Sequence, residues 1–148
     1  MDKSTLFKTN YISGYIIIRI ILGYVFLVAG LQKFIFPDDM GPGRFAGMGF
    51  PIPEFTAYFT GFFEVACALL ILFGLASRLA SIPLIIVMLM AIITTKIPGL
   101  GDGFWDFAHS VRLDFSMLMC ALFVAINGSD RFSLDYKLFG KKDDTADN

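Results

Sequence analysis

Four long apolar segments, each carrying no more than two charged residues, alternate along the chain with polar or Gly/Pro-rich stretches. They cover about 13–36, 55–75, 79–96 and 111–127, and each approaches the roughly 20 residues needed to cross a hydrocarbon core. The third and fourth are the shortest and still within range. Lys3 and Lys8 precede the first segment, but its apolar run is too long for a signal peptide and no small-x-small cleavage site comes after it, so it is expected to remain as a helix. Gly74 to Arg78 is a tight connection, whereas Pro37 to Glu54 and Ile97 to Ser110 are longer loops rich in Gly and Pro. The pattern predicts an all-α, integral membrane four-helix bundle running up, down, up, down. Residues 1–140 are read as a single transmembrane domain and 141–148 as a polar C-terminal tail.

Composition strengthens this reading. Of 148 residues 56% are hydrophobic and only 17% charged, and the mean hydropathy is +0.70. A chain with so little polar surface cannot cover itself in water. The formal net charge of −1 produces no global field that would draw in nucleic acid. Cys67 and Cys120 are the only cysteines, each inside an apolar run, and His109 is the only histidine. A disulfide scaffold, a structural zinc site and bis-histidine haem are therefore not expected. The glycines of Gly99-Leu-Gly-Asp-Gly103 lack a preceding strand and the spacing of a dinucleotide loop.

The local charges set orientation. Lys3, Lys8, Arg78, Arg131, Lys137, Lys141 and Lys142 fall on one side of the bundle, and Lys33, Arg44, Lys96 and Arg112 on the other. The richer side is expected in the cytoplasm, with both termini there and the two long loops outside.

Ionisable groups inside such helices are costly unless paired or hydrated, which makes Arg19, Glu64 and Asp114 informative. Arg19 is expected roughly 12 Å from the cytoplasmic end of its helix and Glu64 roughly 15 Å from the outer end of its own. In a core about 30 Å thick these depths nearly coincide. Arg19, Gly23, Phe26, Gly30 and Lys33 share one face, as do Ala57, Gly61, Glu64 and Ala68. A buried Arg19–Glu64 ion pair is therefore expected, with a structural role and a role in ligand or proton handling both open.

A second group gathers at the outer helix ends: Gln32, Lys33, Lys96, His109, Arg112 and Asp114. Helical spacing puts His109, Arg112, Ser116 and Cys120 on one face and points Asp114 elsewhere, so Asp114 is expected to meet a Lys from another helix. The functional reading is one cavity opening toward the outer leaflet, a pocket for an anionic or polar headgroup. Lys33, Lys96, Arg112 and Trp105 would bind substrate there, with Phe107 beside Trp105 at the rim, while His109 and Asp114 exchange protons. The plainer reading is snorkelling of Lys and Arg at the interface.

Several runs carry a resemblance. The first helix reads RIILGYVFLVAGLQK from Arg19 to Lys33, and the first loop FAGMGFPIP from Phe45 to Pro53. The second helix contains GFFE from Gly61 to Glu64 and ends in GLASR from Gly74 to Arg78. GFWDFAHSVRLDFSM runs from Gly103 to Met117, and RFSLD closes the series at Arg131 to Asp135. In order and spacing these runs resemble the DoxX family of small bacterial and archaeal membrane proteins. One departure is the stretch Asn127 to Asp130, where the family is usually glycine-rich. The resemblance implies a multi-pass protein of the plasma membrane and a module of redox complexes, including a subunit of a thiosulfate:quinone oxidoreductase. It does not assign each polar residue a chemical step, and the residues themselves lead to no expectation of a covalently bound cofactor.

Two functions remain open. One is a quinone-reactive membrane subunit that takes electrons from a soluble or membrane redox partner, since the chain shows no flavin, haem or iron–sulfur ligation of its own. The other is a non-enzymatic scaffold anchoring a soluble redox partner, or a carrier for a small solute.

Overall fold

The computed structural model of the chain describes residues 13–128 together with 133 and 134. The polar tail expected at 141–148 and the basic residues of both chain ends lie outside the described residues. Every regular element among the described residues is helical. Four long helices, α1 (Ser13–Ile35), α3 (Pro53–Phe73), α4 (Ser77–Ala91) and α5 (Phe104–Asn127), are joined by a short helix, α2 (Pro42–Gly47). A π-helical segment (Ile92–Lys96) and a 3-10 segment (Ile97–Asp102) lie between α4 and α5. Four spans are long and apolar enough to cross a membrane, the third running from Ser77 through the π segment to Gly101.

The helices form a closed ring in which α1 packs on α3, α3 on α4, α4 on α5, and α5 returns to α1. Leu22, Phe26, Ala68, Ile71, Leu84, Ala121 and Val124 fill its centre. Many large apolar side chains, among them Ile17, Phe62, Phe73, Leu79 and Ile126, point outward. Such a surface suits hydrocarbon, where apolar burial between helices is no longer the driving force. Close packing of α1 on α3 depends on glycine at the crossing. A side chain on Gly30 would run into the carbonyl of Gly61 and the Val65 side chain, and one on Gly61 would meet Phe34 and Lys33.

Helix ends differ most from hydropathy at the start of the fourth helix. Hydropathy puts the start of the fourth helix near 111, but the helix starts at Phe104. Asp106, His109 and Ser110 lower the hydropathy there, while the backbone is already helical. Asp106 in that first turn suits the positive end of the helix dipole. At the opposite end of the bundle Gly74, at φ 69°, closes α3. The amide of Gly74 donates to the Ile71 carbonyl, and that of Leu75 to the Leu70 carbonyl, the paired bonds of a left-handed glycine cap.

Candidate functional site

The packing register of α1 against α3 decides which charges meet. Gly30 lies against Gly61 and Val65, and Gly23 against Ala68 and Leu72, so Glu64 is level with Ala29. Ten residues separate Ala29 from Arg19, about 15 Å at helical rise. The expected Arg19–Glu64 pair therefore does not form. Depths counted from opposite helix ends ignored that α3 begins beyond the end of α1. Glu64 pairs instead with Lys33, whose Nζ lies 2.5 Å from Oε2 and also donates to the Ala29 carbonyl at 3.3 Å. Lys33 starts one turn above and reaches back along its helix, as helical side chains do. Glu64 is 2% exposed, so this carboxylate has its charge met inside the bundle. Arg19 serves the other end, donating from Nε to the Ile71 carbonyl at 2.9 Å and from Nη2 to the Leu72 carbonyl at 2.8 Å.

A second pair stands across the ring. Lys96 Nζ lies 3.5 Å from Asp114 Oδ2, so Asp114 meets a Lys from another span, as its helical position predicts. Lys96 ends the π segment. Thr94 and Thr95 hydroxyls donate to the carbonyls of Met90 and Ala91, at 2.7 Å and 2.6 Å. Pro98, two residues on, has no amide hydrogen to continue an α ladder. The Ile97 amide bonds the Ile92 carbonyl, five residues back. One added residue in a turn rotates the rest of the helix by about 100° relative to an unbroken α-helix, and Lys96 meets α5 as a result.

Both pairs line one cavity of about 680 Å³. Phe26 and Ala29 of α1, Phe59 and Phe63 of α3, Val87, Met88 and Ala91 of α4, and Met117 of α5 form its apolar wall. Arg44, Phe45 and Met48 of α2 and its end border it on the loop side. A mostly apolar enclosure of this size with a few converging polar groups is the usual form of a small-molecule site. Among the described residues no three His, Cys, Asp or Glu side chains cluster as a metal site requires. Cys67 and Cys120 are both free thiols.

Of the residues expected to share this space, Lys33, Lys96 and Asp114 do, whereas His109, Arg112, Trp105 and Phe107 do not line it. Asp114, Met117, Ala121 and Val124 form one stripe of α5 that turns into the interior. The stripe bearing His109, Arg112 and Ser116 faces out. His109 Nδ1 lies 3.5 Å from Arg112 Nη1, and both residues are exposed; Trp105 is 81% exposed. Sequence reasoning missed Arg44, Thr95 and the pairing of Lys33 with Glu64. The glycines at 30 and 61 were the available signal, since counting from that contact brings Lys33 and Glu64 together.

Four helices long and apolar enough to cross a membrane, packed around a cavity with two internal ion pairs, define a multi-pass membrane protein. The chain belongs to the DoxX family, whose model matches residues 14–97. It is 46% identical over 130 residues to the "Uncharacterized membrane protein Rv3486" of Mycobacterium tuberculosis, covering 83% of this chain and 80% of that protein. It is 32% identical over 130 residues to the "Putative oxidoreductase CatD" of Bacillus subtilis, covering 87% of this chain and 90% of that one. An uncharacterized protein of Haemophilus influenzae is 29% identical over 125 residues, covering 84% and 90%. No solved structure gives a significant match.

Proposed function

We propose that this chain is the membrane subunit of a redox system and that its cavity takes a quinone-class ring. The supporting observation is the cavity itself, apolar around most of its wall and polar at two lysine–carboxylate pairs. Its aromatic and methionine wall suits a flat ring and an isoprenoid or alkyl chain. Ring carbonyls accept hydrogen bonds, and Lys33 Nζ and Lys96 Nζ are charged donors in the wall. A quinone takes up two electrons and two protons when reduced. Lys33 and Lys96 would orient its oxygens, and the Glu64 and Asp114 carboxylates would hold the protons that those ammonium groups exchange. Electrons would come from a partner protein, because the described residues provide no ligand set for a redox centre. The oxidoreductase name of the Bacillus subtilis relative agrees with this reading.

The seven-to-four bias of Lys and Arg favours a plasma-membrane arrangement with both termini cytoplasmic and the cavity toward the outer leaflet. Isothermal titration of a short-chain naphthoquinone into the purified protein tests the function. Saturable binding is expected, weakened about tenfold or more in Lys96→Ala. Absence of saturable binding would remove the quinone reading and leave a scaffold or a small-solute carrier.

A further inference from the structure

The charges of the cavity wall do not balance. Three cations, Lys33, Arg44 and Lys96, face two carboxylates, Glu64 and Asp114. Glu64 meets Lys33 and Asp114 meets Lys96, so Arg44 is the cation left over. Its side-chain hydrogen bond among the described residues runs from Nη1 to Met40 Sδ at 3.7 Å, and a thioether is a weak acceptor. Asp38 and Asp39 precede it on the same loop, yet among the described residues neither forms an ion pair with it nor lines the cavity. Arg44 is exposed while Glu64 is buried, which puts the guanidinium at the mouth and the first ion pair at the floor.

A guanidinium is always charged, weakly hydrated and shaped for two parallel hydrogen bonds to an oxyanion. Here it borders a largely apolar wall. We propose that the occupant of the cavity carries an anionic head that docks on Arg44 while its apolar body lies among Phe26, Phe59, Phe63 and Met117. The proposal rests on the quinone reading and narrows it to an acidic ring compound, such as a hydroxylated quinone that is deprotonated at neutral pH.

The test is calorimetric titration in a neutral detergent with two naphthoquinones sharing one alkyl tail, one bearing an acidic 2-hydroxyl and the other its methyl ether. The wild-type protein is expected to bind the hydroxyl form about tenfold more tightly, the worth of one charge-assisted contact. Arg44→Gln is expected to bring the two affinities together, and Arg44→Lys to retain part of the difference. Equal affinities in the wild-type protein, or a preference that survives in Arg44→Gln, would overturn the proposal. If neither naphthoquinone binds, dodecanoate against dodecanol decides. A carboxylate preference that Arg44→Gln abolishes would uphold the anionic head and reject the quinone, and no preference would reject both.

Discussion

At the end of the bundle where α3 and α5 finish, Arg19 and Arg78 reach backbone carbonyls; at the opposite end Lys33 and Lys96 meet carboxylates. Arg19 donates to the carbonyls of Ile71 and Leu72, and Arg78 Nη2 donates to the Asn127 carbonyl at 3.4 Å. Both arginines thus serve the last turns of helices, where carbonyls lack intrahelical partners and the dipole is negative. Space is tight here: a side chain on Gly74 would strike the Arg19 guanidinium, and one on Gly128 the Nε of Arg78. Lys33 and Lys96, by contrast, reach side-chain carboxylates in the wall of a cavity. A carbonyl in a helix end can neither take a proton nor move away, so the first arrangement is permanent architecture. A carboxylate can do both, so the second can respond to a ligand.

The largest expected effect comes from breaking the ligand-side pair at its buried member. Glu64→Leu leaves the Lys33 ammonium without its partner inside the bundle, and thermal unfolding in detergent should register a loss of about 3–5 kcal/mol. The double change Lys33→Met with Glu64→Leu removes both charges and should recover most of it. A double variant as unstable as the single one would show that shape, and not charge, makes the site intolerant.

The architectural end should yield a smaller loss with no functional signature. Arg19→Met removes the charge-assisted bonds to the Ile71 and Leu72 carbonyls, a loss of at least about 2–3 kcal/mol, while ligand affinity stays unchanged. Because Arg19 and Glu64 sit about 15 Å apart along the bundle, Arg19→Gln and Glu64→Gln should add to within about 0.5 kcal/mol. Coupling well beyond that would mean the two ends communicate, and the division drawn between them would fail.

How far this division was legible in the sequence depends on what each residue reports. The four spans are set by hydropathy alone, and the inward faces of α1 and α3 by Gly23, Gly30 and Gly61 at helical spacing. Asp114 was separable from His109 and Arg112 by the same arithmetic. Which partner Arg19 and Glu64 take was not legible from depth, because a slab thickness says nothing of how far one helix end overhangs another. The contact of Gly30 with Gly61 carries that information. The π segment was also hidden: Thr94, Thr95 and Pro98 are consistent with it, but its outcome, the turning of Lys96 onto α5, is a matter of backbone geometry and not of residue type. Arg44 reads in sequence as an interfacial cation, and becomes a cavity residue only when α2 folds back over the helices.

The smallest expected effect is also the sharpest test of where the site ends. His109 is the one histidine in the chain and so the natural candidate for proton exchange near neutral pH. Its position argues otherwise. It lies on the outward stripe of α5, exposed, with Arg112 one turn away as its side-chain neighbour. Asp114, two residues beyond Arg112, turns to Lys96 inside. Two residues along a helix rotate a side chain by about 200°, enough to put Arg112 and Asp114 on opposite faces. His109→Gln should therefore leave naphthoquinone affinity within about twofold of the wild-type protein, whereas Asp114→Asn, which weakens the hold on Lys96, should change it by more. Titrating both variants in parallel separates the faces. If His109→Gln costs affinity and Asp114→Asn does not, the ligand binds on the outer stripe of α5, and the cavity between the helices is not the functional site.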